Sequence, residues 1–206
     1  MIPYPCAGII LAGGQNRRMQ GKNKALLTVG RLSIIERQIR LFEELFQEVI
    51  LVSHHPLDFA SWDGLIVGDI LPHRGSLIGV HAGLFYARSE RAFIAACDMP
   101  FIKPELVRLL VEEGGPQWDV VVPVTADGYQ PLFAVYSKRC LQVIEDQVQQ
   151  GAMKISRLYG RVKVKKIPEE RLREVDPELI SFFNINTDED WQRSQSLEKD
   201  FGHDGT

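Results

Sequence analysis

Residues 6–27 read CAGIILAGGQNRRMQGKNKALL, an apolar run broken by two glycines and then by cations. Cys6 to Leu11 has the length and uninterrupted hydrophobicity of a strand buried on both faces, the kind found inside parallel sheets. The loop after it suits polyphosphate. Gly13 and Gly14 put no side chain between backbone N–H groups and an anion's oxygen atoms, while Arg17, Arg18 and Lys24 supply positive charge. A basic surface turn is the plainer explanation, but a buried strand running into Gly-Gly and three cations is a costly way to build one. Two familiar loops are excluded by spacing. Gly14 and Gly21 are separated by six residues and Gly21-Lys22 is followed by Asn23, so there is no Walker loop; nothing between Gly8 and Gly30 has the Gly-x-Gly-x-x-Gly pattern of a dinucleotide fingerprint.

Outward from this stretch, short apolar runs alternate with amphipathic ones. Glu48 to Ser53, Leu65 to Gly68, Ala92 to Cys97 and Val120 to Val124 read as further buried strands. Ser33 to Phe46 carries Ile35, Ile39, Phe42 and Phe46 on one helical face, with Ser33 and Glu36 spaced as a capping box. Helices are also predicted from about Leu77 to Arg88, from Pro104 to Glu113 and from Lys138 to about Gln149. This alternation predicts an α/β fold whose mainly parallel sheet is covered by helices on both faces. Ligands of such sheets lie beyond the carboxyl ends of the strands. That rule brings the loop after Leu11, the Ser53-His54-His55 segment, Asp69 and Asp98 to one rim.

The chain has 206 residues, 45% of them hydrophobic, enough for one substantial core. We expect one domain over residues 1–198 and a polar tail over 199–206. A net charge of −3 gives no global attraction to nucleic acid or acidic membranes, so the basic loop acts locally on a small anion. Cys6, Cys97 and Cys140 are odd in number and widely spaced, which fits reduced, buried thiols and a cytoplasmic protein. The apolar N-terminus lacks the basic region of a signal peptide, and no apolar run approaches the roughly 20 residues that span a bilayer.

Asp98 ends the Phe93–Cys97 run and precedes Met99-Pro100, placing a carboxylate where a buried strand stops. Magnesium is its expected ligand, because that ion often shares a nucleotide's phosphates with only one or two protein carboxylates; a turn or cap is the alternative. Asp69 precedes a second glycine-bearing stretch, Gly75 to Gly79, which serves equally as a backbone approach to a nucleoside or as a helix entrance. Asn184 and Asn186 alternate on an expected short strand, with Thr187 positioned to cap a final helix. His54 and His55 diverge on an extended segment and have no third metal ligand nearby in sequence. Neither a Gly-x-Ser-x-Gly elbow nor a Cys-His nucleophile pattern is present.

LAGGQNRRMQGKNKALL, GSLIGVHAGL from Gly75, CDMPF from Cys97, QPLFAVY from Gln130 and FFNINTDED from Phe182 occur in the order seen in molybdenum cofactor guanylyltransferases. The chain resembles that family over nearly its whole length. The resemblance implies a Rossmann-like three-layer α/β/α nucleotidyltransferase fold that joins GMP from GTP to molybdopterin with magnesium, releasing pyrophosphate. It implies that Leu11, Ala12 and Gly13 contact the nucleotide, that Lys24 meets its phosphates, that Asp69 helps hold the nucleoside and that Asp98 binds the metal. Arg18 and Gly21 fall on the same loop, Gly14, Gly75 and Gly79 join the nucleotide-binding set, and Asn184 and Asn186 match positions on the molybdopterin side. Implied partners are the two substrates and other enzymes that make or receive the molybdenum cofactor. Gln20, Asn23, Ser76 and His55 depart from the family's usual residues. Related enzymes using CTP with molybdopterin, or a nucleotide with a sugar phosphate, share a similar first loop, and a non-catalytic nucleotide sensor is the third class.

Overall fold

The computed structural model describes residues 3–13 and 23–201. In chain order the strands are β1 (Tyr4–Leu11), β2 (Thr28–Val29), β3 (Leu32–Ser33), β4 (Phe46–Val52), β5 (Leu65–Val67), β6 (Arg91–Ala96), β7 (Val120–Thr125), β8 (Gly128–Tyr129), β9 (Phe133–Ser137) and β10 (Val164–Pro168). The helices are α1 (Ile34–Leu45), α2 (Ser76–Tyr86), α3 (Pro104–Glu112), α4 (Cys140–Gln149), α5 (Glu169–Arg173) and α6 (Asp188–Phe201). The main sheet runs β5-β4-β1-β6-β9-β7-β10, with β8 paired to β7, while β2 and β3 form a separate hairpin. β5, β4, β1 and β6 are parallel neighbours, as are β7 and β10; only β9 and β8 run against their partners. Helices cover both faces, so the expected three-layer α/β/α architecture with a mainly parallel sheet is the observed one.

The predicted elements form for the predicted reasons. Ser33 caps α1: its hydroxyl accepts the Glu36 N–H at 3.3 Å while Glu36 accepts the Ser33 N–H at 2.7 Å. Pro104 begins α3, where its missing N–H is not needed. Successive residues of β1 serve opposite layers: Cys6 and Ile10 pack with Phe42, Phe46 and Phe93, and Ala7, Ile9 and Leu11 pack with Leu77, Ile78 and Leu84 of α2. A third, smaller cluster joins Leu27, Val29 and Ile34 to Phe101, Ile180 and Ile185. Cys6, Cys97 and Cys140 are buried and outside any disulfide. No helix among the described residues is long and apolar enough to cross a membrane.

Two differences from the sequence reading have physical causes. QPLFAVY contains β9, which periodicity identifies as buried without revealing that it runs antiparallel to both β6 and β7; β8 turns back on β7 through Gly128 at φ 100°. The expected strand around Asn184 does not form. Asp176 accepts the Ile180 and Ser181 N–H groups, Leu179 adopts a left-handed φ of 52°, and a 3₁₀ turn over Ile180–Phe182 leads into irregular extended chain.

A Cβ at Gly8 would lie 2.4 Å from Phe46 Cδ2 and 2.7 Å from Phe42 Cδ2, in a part of the core where both rings are almost fully buried. Gly8→Ala is therefore expected to lower unfolding free energy by about 1–3 kcal/mol, read from a urea titration with an unchanged slope.

Candidate active site

The strand order reverses beside β1: β4 and β5 extend the sheet on one side and β6 on the other. Such a reversal leaves a crevice at the carboxyl ends of the strands on either side of it. Backbone bonds continue the sheet one step past the strands, from Ala12 N–H to Val52 O (2.8 Å), Ser53 N–H to Val67 O (2.9 Å) and Cys97 N–H to Leu11 O (3.1 Å). Leu11, Gly13, His54, Asp69, Gly75, Gly79 and Asp98 consequently line one cleft of about 160 Å³. His54 and Asp69 also border a wider adjoining recess of about 460 Å³ that includes His73 and Arg74. A larger recess of about 820 Å³ between α1 and the start of α3 contains none of Gly13, His54, Asp69 or Asp98, and its charges, Arg37, Arg40 and Lys103 against Glu44, Glu105 and Glu198, offset one another.

Asp98 is held by its neighbours' backbone. Gln38, buried on α1, donates from Nε2 to Ala96 O (2.8 Å) and Met99 O (2.9 Å), bridging the turn that carries Asp98. The Ile185 N–H donates to Asp98 O at 2.9 Å. The side chain caps no helix, because α3 is entered at Lys103. Its Oδ1 is shielded from solvent and has no hydrogen-bond partner. Burial pushes the Asp98 carboxyl above its ordinary range, opposed by its own backbone N–H and by the charge of Lys24.

Lys24 is 7% exposed and donates from Nζ to Asn186 O at 2.7 Å. Asn23 shapes its approach, accepting the Ala25 N–H at 3.1 Å and reaching Asp58 at 3.0 Å. The Asn186 carbonyl is fixed in turn by the start of α6, where Asp190 accepts the Asn186 and Thr187 N–H groups and Thr187 accepts that of Asp190. Asn184 turns its amide back to Phe182 O at 3.0 Å, and Asn186 is exposed on the far side of buried Ile185. Gly75 occupies the N-cap of α2 at φ 145°, so helix entrance and cleft lining fall on the same residue. Ala12 is buried, with its N–H committed to Val52. Gly14, Arg17, Arg18 and Gly21 lie outside the described residues. Asp69 lies 3.2 Å from His54, and burial raises its carboxyl pKa while His54, Arg74 and His81 oppose the rise. Among the described residues no group of three or more His, Cys, Asp or Glu is arranged to hold a metal, so a cation here would rely on Asp98 and on its ligand's oxygens. The orphaned, buried Oδ1 suits a hard cation.

Sequence reasoning missed Gln38. Its signal was a polar residue three positions after Ile35 and four before Phe42, on the buried stripe of α1.

Comparison with known proteins adds a family. The model of the MobA-like NTP transferase domain matches residues 8–165. A molybdenum cofactor guanylyltransferase of Desulfosudis oleivorans is 43% identical over 93% of this chain and 95% of its own length. A probable molybdenum cofactor guanylyltransferase of Pelotomaculum thermopropionicum is 40% identical over 92% of each chain. The crystal structure of molybdopterin-guanine dinucleotide biosynthesis protein A from Archaeoglobus fulgidus superposes with a TM-score of 0.82 at 31% identity, covering 94% of this chain and 99% of that one.

Because folding raises the Asp98 pKa, the folded chain holds that proton more tightly than the unfolded chain. The cost of ionisation is absent below the ordinary value of 3.8 and grows as pH rises through the interval up to the raised value. Asp98→Asn is expected to stabilise the protein at pH 7 by on the order of 1 kcal/mol. Melting curves should show a gain of roughly 2–4 °C that narrows as the buffer is acidified.

Proposed function

Since this chain belongs to the MobA-like NTP transferase family, we propose that it transfers GMP from GTP to molybdopterin and releases pyrophosphate. It is an enzyme of the nucleotidyltransferase class. One observation carries the chemical reading: a half-buried carboxylate with a solvent-shielded, unpartnered oxygen and a nearly buried lysine share the switch point between β1 and β6.

The reaction needs no covalent participation by the protein. A terminal phosphate oxygen of molybdopterin attacks the α-phosphorus of GTP, a P–O bond forms on one side, and the bond to the bridging oxygen breaks on the other. The electron pair leaves with pyrophosphate. The acceptor phosphate is already ionised, so no general base is required, and positioning and charge neutralisation lower the barrier. Asp98 is the residue that would hold a divalent cation, which we assign as magnesium. When bound, such an ion neutralises charge on the reacting phosphates. Lys24 supplies fixed positive charge to the phosphates, oriented by the Asn186 carbonyl. In our reading Leu11, Ala12 and Gly13 present backbone to the nucleotide, Asp69, Gly75 and Gly79 border its nucleoside, and Gly14, Arg18 and Gly21 complete the phosphate loop. Asn184 and Asn186 face the acceptor side, where further contacts with enzymes that make or receive the cofactor belong.

Pyrophosphate release measured with each nucleoside triphosphate, with and without molybdopterin, tests the assignment. Release should require GTP, molybdopterin and magnesium together; release only with CTP, or GTP binding without release, overturns it. Lys24→Ala should lower kcat by roughly two orders of magnitude at saturating substrates while leaving the melting temperature nearly unchanged. Wild-type turnover in that variant removes Lys24 from the mechanism.

A further inference from the structure

A lysine carries its charge on a flexible stem, and that charge acts as a fixed one only where the ammonium is tied down. One N–H of the Lys24 ammonium goes to Asn186 O at 2.7 Å, which orients the group without exhausting its donors. That carbonyl belongs to the same peptide unit as the Thr187 N–H. A trans peptide is planar, with its C=O and N–H pointing in opposite directions, so whatever holds the Thr187 N–H also aims the Asn186 carbonyl.

Asp190 is that holder. Its Oδ2 accepts the Thr187 N–H at 2.9 Å and the Asn186 N–H at 2.9 Å, so one oxygen pins the peptide planes on both sides of the Asn186 Cα. A capping box needs only the bond to Thr187, together with the Asp190 N–H given to Thr187 Oγ1 at 3.1 Å. The bond to the Asn186 N–H is additional to it. That N–H, the Thr187 groups and the charge of Lys24 hold the Asp190 carboxyl below its ordinary range against the opposing effect of desolvation. Ammonium and carboxylate therefore stand at opposite ends of one peptide group, and each polarises the bond that the other makes. The same helix grips the chain again beyond Lys24: Trp191 Nε1 donates to Thr28 O at 2.9 Å and Gln195 Nε2 to the same oxygen at 2.7 Å. The lysine and the strand after it are thus both tied to α6.

Resting on the proposed reaction, we infer that Asp190 is a positioning residue for the transfer: through the Asn186–Thr187 peptide it aims the carbonyl that holds the Lys24 ammonium toward the phosphates. It acts through Lys24 and not on the substrates directly, so its effect disappears when the lysine is removed.

The test is the steady-state kinetics of the full chain with GTP, molybdopterin and magnesium, alongside melting curves. Asp190→Ala should lower kcat about tenfold, less than loss of the lysine itself, with little change in KM for GTP. Asp190→Asn, which keeps an acceptor oxygen without the charge, should recover kcat to within about threefold of wild type. Thr187→Ala removes the other arm of the box but leaves the peptide N–H, and should keep kcat while losing as much melting temperature as Asp190→Ala. Thr187→Pro deletes that N–H and should lower kcat as Asp190→Ala does, so it carries the test if Asp190→Ala fails to fold. In a Lys24→Ala background, adding Asp190→Ala should change kcat by less than about twofold. Wild-type kcat in Asp190→Ala, an equal loss in Thr187→Ala, no recovery in Asp190→Asn, or a further loss of the same size on top of Lys24→Ala overturns the inference alone. A wild-type chain that releases no pyrophosphate from GTP with molybdopterin overturns the proposed function as well.

Discussion

Two helices press on β1 from opposite sides, and the place where they allow the strand to end decides where chemistry can occur. Gly8 lets Phe42 and Phe46 close on one face, and Gly83 lets α2 close on the other, where a Cβ would stand 2.6 Å from Ile9 Cγ2. With both faces sealed, β1 opens to polar chemistry at its carboxyl end, where the strand order reverses. Loop ends far apart in sequence therefore meet there without any direct pairing among themselves.

The electrostatics of that outlet are unsatisfied by construction. Asp98 and Asp69 each keep a solvent-shielded oxygen without a hydrogen-bond partner, and burial raises the pKa of both carboxyls. Among the described residues eight buried side-chain polar atoms lack a partner, and the two carboxylate oxygens among them belong to residues that line this one cleft, the pattern expected where a ligand supplies the missing partners. The surrounding frame is correspondingly rigid. Gln38 spans the Asp98 turn from below, and the Ile185 and Asn186 backbone groups hold Asp98 and Lys24 from the side.

Much of this was legible in the residues. The alternation of apolar runs specifies the layers, the Ser33–Glu36 pair marks the start of α1, and the strand-end rule gathers His54, Asp69 and Asp98 at one rim. Three features were not legible, each for a physical reason. Strand direction at β9 leaves no trace in a fully buried apolar run, since both orientations bury the same side chains. Asn184 and Asn186 carry a strand-like pattern, but the Asp176 carboxylate claims nearby N–H groups and turns the chain before a ladder can form. Gln38 acts through two backbone carbonyls, and carbonyl partners are invisible in a sequence.

The bond from Lys24 to the carbonyl of Asn186 joins positions 162 residues apart. On the ribosome, the lysine of the first loop emerges early and waits through most of synthesis for the acceptor that orients it. Sheet and helices have their strands in hand well before then, but the charged centre is assembled only when the segment leading into α6 arrives. A nascent chain can thus acquire most of its core before the Lys24 ammonium meets the carbonyl that orients it.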